Sequence, residues 1–240
     1  MEAIKLEEYE IDVLIQGFPG RMVCHGGLGW STIALVRGRG HVALVDVGSF
    51  NMRKGLIDQL AKRGLEPDDV TDVILTHSHW DHADGADLFL KAQIWIQKDE
   101  YSYYTGAAWQ TGGKHGGIEP EDVAFFLRAN VAGRLHMTDG DQEIIPGIHV
   151  WIGGRHTWQS QYVTVPTKSG TVVLASDNLY LYENLDKHVP IAQTFDETSN
   201  LAAQDKMRQL ATDLRLIVPG HDPAVLTRFP KVREGIVRIE

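Results

Sequence analysis

The sequence predicts an α/β protein with one core, and three observations carry that expectation. Short apolar, β-branched runs alternate with helix-patterned segments along the whole chain. The 240 residues are 43% hydrophobic and 23% charged, enough for one sizeable core or at most two small domains, and unlike a disordered chain. No composition break, repeat or low-complexity tract divides them.

In chain order, Glu10 to Gln16, Thr32 to Arg37 and His41 to Val47 read as strands, the last two joined by the hairpin signal Gly38-Arg39-Gly40. A helix is expected over Met52 to Arg63, where Met52, Leu56 and Leu60 share a face and Gly64 follows the end. Asp72 to Thr76 is a buried-type strand, Asp84 to Lys91 a helix, and Gln93 to Gln97 a strand. Thr105 to Gly117 holds five glycines and reads as a loop. Glu119 to Asn130 is a helix opened by Pro120. Strands are expected at Ile148 to Ile152, Tyr162 to Pro166 and Thr171 to Ala175. A helix over Asn200 to Asp213, with Ala203, Met207, Leu210 and Leu214 on one stripe, leads to a strand at Leu216 to Val218. The expectation is a single domain over residues 1–240, with residues 105–131 as a lid insertion.

The charge balance excludes several function classes. Acidic residues outnumber basic ones 32 to 23, a net charge of −9, which disfavours binding to a nucleic-acid backbone or an anionic membrane. The acidic start Met1 to Glu10 lacks the basic, apolar pattern of a secretory signal, and no uninterrupted apolar run approaches the roughly 18 residues of a span. The protein is expected in the cytoplasm, acting on a small molecule; a homodimer is compatible with these features. A single cysteine forbids an internal disulfide, while histidines number 11. Metal binding by this chain would use imidazole and carboxylate.

The strongest signal is Thr76-His77-Ser78-His79-Trp80-Asp81-His82, directly after the strand Val73-Ile74-Leu75. Four ligand-type side chains within six residues fit neither a helix stripe nor a packed strand face. On a turn they converge, and a cation would hold such close imidazoles neutral and oriented. His156, Asp177 and His221 each follow another apolar strand, the position where open α/β sheets assemble their sites. Five imidazoles and two carboxylates exceed a closed four-ligand zinc site and suit two metals.

The pattern H-x-H-x-D-H with a later His, Asp and His resembles the metallo-β-lactamase superfamily over nearly the whole chain. The resemblance implies a four-layer αββα sandwich with a dinuclear metal site between two sheets. It implies that His77, His79 and His156 bind one metal, that Asp81, His82 and His221 bind the other, and that Asp177 bridges both. It also implies a metal-bridging hydroxide as nucleophile. The metals would be zinc, with Mn, Fe or Co as alternatives.

Within that superfamily, Asp177-Asn-Leu-Tyr180-Leu-Tyr-Glu183-Asn184 resembles the Asp-x-x-Tyr-x-x-Glu-Asn stretch of N-acyl-homoserine lactonases, and the intervals His156–Asp177 (21) and Asp177–His221 (44) are close to that branch. Tyr180 would then hydrogen-bond the substrate carbonyl or its oxyanion. Asp81 would return a proton, and Trp80, inside the ligand loop, would form a substrate wall. Asp46, in an Asp-x-Gly turn, would support the ligands from behind. The implied reaction is hydrolytic opening of a lactone or related cyclic amide. Departures exist: Gly153-Gly-Arg-His156-Thr-Trp-Gln-Ser-Gln161 replaces the usual T-P-G-H-T-P-G-H, and His82–His156 spans 74 residues, longer than in the best-known members.

Alternatives remain open. A glyoxalase II-like thioesterase would share the ligands, with Arg228, Lys231 and Arg233 as candidate grips for glutathione carboxylates. From another class comes a non-catalytic metal-bearing ligand-binding or signalling protein, which the complete set of seven ligands disfavours. A common zinc β-lactamase would carry a cysteine ligand, and Cys24 is far from any such position. His79 argues against the redox branch. Trp109 and Trp158 are read as core or lid packing. His115 is read as a solvated loop residue, His25, His41, His136, His149 and His188 as structural or exposed, and Gly26-Gly27-Leu28-Gly29 as a turn.

Overall fold

Strands with two apolar faces must be covered on both. In the run Val172 to Ala175, Val172 and Leu174 enter one buried cluster, Val173 and Ala175 another. In Ile33 to Val36 the same alternation sends Ile33 and Leu35 one way, Ala34 and Val36 the other. Two such sheets stack on each other and carry helices outside, which is the αββα sandwich expected from the sequence.

The computed structural model describes residues 8–20 and 29–240; the readings of Cys24, His25 and the Gly26 turn lie outside them. The strands are β1 (Glu10–Ile15), β2 (Ile33–Gly38), β3 (His41–Val45), β4 (Asp72–Ile74), β5 (Gln93–Gln97), β6 (Leu135–Thr138), β7 (Gln142–Ile145), β8 (Ile148–Ile152), β9 (Gln161–Thr167), β10 (Gly170–Ser176), β11 (Ile217–Pro219), β12 (Lys231–Arg233) and β13 (Ile236–Arg238). The helices are α1 (Arg53–Lys62), α2 (Trp80–Ala83), α3 (Lys98–Tyr104), α4 (Pro120–Val131), α5 (Tyr182–Lys187), α6 (Glu197–Leu210) and α7 (Val225–Arg228).

One sheet has the order β12-β13-β1-β2-β3-β4-β5-β6, the other β11-β10-β9-β8-β7. Helices α1, α3 and α4 contribute Leu56, Leu60, Tyr101, Phe125, Phe126 and Ala129 to the outer core of the first sheet. Helices α5 and α6 place Leu185, Ala203 and Met207 on the second. Strands β3 to β6 run parallel, as do β10 and β11. Parallel strands bring their C-terminal ends to one rim. Across that rim Gln161 donates its backbone N–H to the Thr76 carbonyl (2.8 Å), and Thr32 donates to Gly220 (2.7 Å).

The β2–β3 hairpin forms at Arg39-Gly40, both in the left-handed region (φ 49° and 84°). The helix expected over Asp84 to Lys91 does not form. The chain instead makes α2 earlier and only a 3-10 turn at Ala86–Leu88. Gly85 donates its N–H to the Gly48 carbonyl (3.1 Å) and packs too closely on Val47 for a side chain, which takes the backbone out of helical register. The last long helix starts at Glu197 because Asp196 accepts from Ser199 N (3.1 Å). It ends at Leu210, so Leu214 falls outside it.

Asp122, in the first turn of α4, is 4% exposed and its Oδ2 has no hydrogen-bond partner. Burial, with Asp84 and Glu119 nearby, pushes its carboxyl up from 3.8 to about 7. The folded state therefore holds this proton where the unfolded chain has released it, and stability falls as pH rises from about 4 to about 7. At about 1.4 kcal/mol per pKa unit, discounted for solvent screening, the cost at pH 8 is on the order of 2 kcal/mol. Asp122→Asn should raise the melting temperature at pH 8 and leave it little changed at pH 4, as read by thermal denaturation at the two pH values.

Candidate metal centre

The centre is assembled from strand ends. The turn after β4 carries His77, then His79, the residue that precedes α2; Asp81 and His82 sit on α2 itself. The loop after β8 carries His156, the end of β10 leads to Asp177, and the end of β11 leads to His221. All seven come together. Candidate ligand atoms fall into the groups His77–His79–His156, His77–His82–Asp177 and Asp81–His82–His221, each within 4.8 Å. Asp177 lies between the outer two groups. Its Oδ2 is 3.2 Å from His156 Nε2, and its Oδ1 is 3.2 Å from His82 Nε2 and 2.9 Å from His221 Nε2.

Each imidazole spends one face on the protein. His77 Nδ1 meets Thr76 Oγ1 (3.0 Å), His82 Nδ1 meets Asp46 Oδ2 (2.8 Å), His156 Nδ1 meets the Gln193 carbonyl (2.7 Å), and His221 Nδ1 meets the Phe18 carbonyl (3.2 Å). The His79 ring packs on the Gly117 backbone, with Nδ1 2.9 Å from His156 Nε2. Such partners fix the tautomer and aim the remaining nitrogen inward. The fit to metal rests on what is left over. His77 Nε2, His82 Nε2 and Asp177 Oδ1 are buried and have no hydrogen-bond partner among the described residues. Buried polar atoms are normally satisfied, and divalent cations are the partners this imidazole–carboxylate set suits.

The electrostatics divide the site. Burial holds His77 well below the ordinary imidazole value, reinforced by His82 and His79, and takes His79 down to about 3, reinforced by His156. For His82, burial pulls the same way, but Asp177, Asp81 and Asp46 outweigh it and lift the group well above. Burial alone would raise Asp177; the rings of His221, His82 and His156 outweigh it and hold the carboxyl well below the usual range. Burial pushes Asp81 up, against the pull of His82.

The centre floors a cavity of about 940 Å³. Trp80 and Tyr180 line it with His79, Asp81, Asp177 and His221, as do Tyr104, Lys114, Gly116, Gly117 and Phe195. Tyr180 Oη is 3.2 Å from His156 Nδ1, and its ring meets those of His156 and His221 edge to face. Burial raises its phenol, so it stays protonated. Trp158 stacks on Tyr103 at 4.0 Å and Trp109 on His115 at 4.4 Å, and neither tryptophan lines the cavity. His41 pairs with Asp72, His136 stacks on Trp95, His188 pairs with Asp205, and His149 stacks on Trp151, all outside the three ligand groups.

Sequence reasoning missed Glu100. This carboxylate on α3 is wholly buried and accepts from Ser78 N (2.9 Å), Thr157 Oγ1 (2.9 Å) and Gln159 N (2.7 Å). It thereby ties the His77–His79 turn to the His156 loop. No local pattern marks it; only the tertiary packing of α3 brings these donors to one acceptor. Glycines stand at 153 and 154, where the usual motif has Thr-Pro; a Cβ at either would strike Asn178 or Asn200, and Asn178 Oδ1 accepts from Gly154 N at 2.6 Å. Glu100→Ala should strand three buried donors, costing about 3 kcal/mol or more, measurable as a lowered urea midpoint.

The comparisons with known proteins agree with this geometry. The metallo-beta-lactamase superfamily model matches residues 26–221. An N-acyl homoserine lactonase from Bacillus sp. is 29% identical over 171 residues, 70% of this chain and 62% of that protein, so the match spans less than two thirds of the relative's length. The N-acyl homoserine lactonase AttM of Rhizobium johnstonii is 26% identical over 242 residues, 95% of this chain and 88% of that protein. Among solved structures, a B. thuringiensis AiiA variant with N-decanoyl-L-homoserine at its active site shares the fold at TM-score 0.71 and 22% identity, covering 95% of this chain and 98% of that one. With these candidate ligands gathered at the strand ends and the family model spanning most of its length, the chain belongs to the metallo-beta-lactamase superfamily.

Proposed function

We propose that the chain is a metal-dependent hydrolase that opens a cyclic ester, with a related cyclic amide as the neighbouring substrate class. The observation that carries this reading is the pair of ligand triads facing opposite oxygens of Asp177. In it, His77, His79 and His156 hold one divalent cation, Asp81, His82 and His221 hold the second, and Asp177 spans both. Two cations bound there would supply Lewis acidity and lower the pKa of a water towards neutrality. Zinc suits the donor set, and Mn, Fe and Co suit it too.

The chain's own groups do the rest. Tyr180, kept protonated by burial, donates its O–H to the substrate carbonyl oxygen as charge develops there. Asp81, whose carboxyl burial pushes up, carries the proton returned to the leaving oxygen. Trp80 and Phe195 wall the cavity and limit water beside the ring. Ring opening yields a carboxylic acid, so proton release follows turnover. The likeness to lactonases supports a lactone over other acyl compounds.

A glutathione thioester is less well supported. None of Arg228, Lys231 and Arg233 is among the residues lining the cavity, and Arg228 lies over the Tyr182 ring at 3.5 Å. The net charge of −9 supports a small-molecule substrate over nucleic acid or an anionic membrane, and a cytoplasmic location remains part of the proposal. Among the described residues no helix is long and apolar enough to cross a membrane.

The deciding experiment is metal analysis followed by a proton-release screen of lactones, lactams, thioesters and β-lactams with holo and chelated protein. Lactone hydrolysis that vanishes on chelation and returns with metal is expected; activity indifferent to chelation overturns the reading. Asp177→Ala should lose metal occupancy as well as rate, and a variant keeping two metals and full turnover refutes the bridging role. Ligand imidazoles must be neutral, so activity should fall below about pH 6, which a pH–rate profile at saturating metal checks.

A further inference from the structure

The glycine-rich segment 105–117 does more than border the cavity. Its last residues run directly against the metal-centre turn: Trp80 donates its backbone N–H to the Gly117 carbonyl (2.8 Å). Gly117 sits in the left-handed region (φ 82°), and a Cβ built there would lie 2.7 Å from His79 Cδ2 and 3.0 Å from Nε2. The imidazole thus rests on bare backbone, with Nδ1 turned towards His156. Behind it, Glu100 holds Ser78 N, one residue before His79. Helix α3, which carries Glu100, leads straight into the segment.

The segment is also fastened to the wall opposite. Lys114 Nζ lies over the Phe195 ring at 5.0 Å, and Phe195 donates its N–H to the Arg155 carbonyl (2.8 Å), next to His156. Tyr103, just before the segment, accepts from Lys114 N through its hydroxyl (3.1 Å) and stacks on Trp158. The residues that roof the cavity are therefore the residues that hold His79 and brace the His156 loop.

We propose that the backbone at Gly117 is the positioning element for His79, so that the first metal position and the roof of the substrate cavity form as one unit. Filling that position orders segment 105–117, and removing the metal loosens it. A cation on His79 Nδ1 needs that nitrogen turned to the centre, and the Gly117 backbone packed beneath Cδ2 and Nε2 is what holds the ring in that orientation. By linkage, whatever the metal gains from that held ring it returns to the segment as order. The inference rests on His79 being a metal ligand.

The test combines metal titration with proteolysis. In the wild-type chain, trypsin should cut after the exposed Lys114 at least tenfold faster in chelated protein than in protein reloaded with zinc, read by mass spectrometry of the fragments. Gly117→Ala should weaken the first metal by about 10- to 100-fold in a cobalt titration against a chelating dye. Gly55→Ala, on α1 and outside the cavity lining, whose Cβ would meet only Ile15 Cδ1 at 4.0 Å, should titrate like wild type. His79→Ala is measured alongside. If it retains two metals, the ligand assignment itself is wrong. If it loses one while Gly117→Ala binds like wild type, or if cutting at Lys114 is equally fast with and without metal, the coupling is refuted. Circular dichroism confirms that each variant is folded, and the proteolysis of the wild-type chain needs no variant.

Discussion

The site depends on the Asp46 carboxylate. Asp46 follows β3 in a left-handed conformation (φ 57°) uncommon outside glycine, and its side chain is buried where the two sheets meet. Oδ1 accepts from Thr76 N (2.8 Å), while Oδ2 is 2.8 Å from His82 Nδ1 and 3.0 Å from Ser176 Oγ. Thr76 belongs to the end of β4 in the first sheet, and Ser176 to the end of β10 in the second. One carboxylate therefore joins both sheets at the rim, immediately before His77 on one side and Asp177 on the other. A fully buried charge is tolerable only when every donor is present, so the network specifies this arrangement of strand ends and little else.

Two buried carboxylates divide the work of orientation. Asp46 governs the His82 side. Glu100 governs the other, by joining the His77–His79 turn to the His156 loop. Between them Asp177 offers one oxygen to each side. The logic extends outwards to backbone carbonyls at Gln193 and Phe18, which receive the rings of His156 and His221. The proposed hydrolysis would need this rigidity, because a misplacement of about 1 Å in a reacting group costs orders of magnitude in rate.

The cavity above the centre belongs to this chain in particular. The long interval between His82 and His156 supplies α3, the glycine-rich segment and α4, and the first two contribute Tyr104, Lys114, Gly116 and Gly117 to the lining. The opposite wall comes from residues 192–195, which also receive His156 through the Gln193 carbonyl. The cavity walls and the candidate ligand geometry thus share the same two segments, which makes the pocket hard to vary without disturbing the His79 and His156 rings.

Much of this was legible in the chain itself. Short continuous apolar, β-branched runs marked most central strands, because both of their faces are buried, and the five-imidazole, two-carboxylate set was visible because its members cluster just past the ends of such runs. The family resemblance supplied the layer order. The elements that escaped were α2, α3, β6, β7, α5, α7 and the C-terminal β12–β13 pair, which are short or partly polar and are held by neighbours more than by their own pattern. The helix expected at Asp84 to Lys91 yielded to the close approach of Gly85 to Val47. By itself, then, the sequence determined which residues bring ligand chemistry and which strands deliver them, since those follow from residue type and local periodicity. Only the tertiary structure decided which nitrogen of each ring faces the centre, that Glu100 serves it, and that Gly117 lies beneath His79. Those depend on contacts between segments distant in the chain, and no local pattern encodes the distance between them.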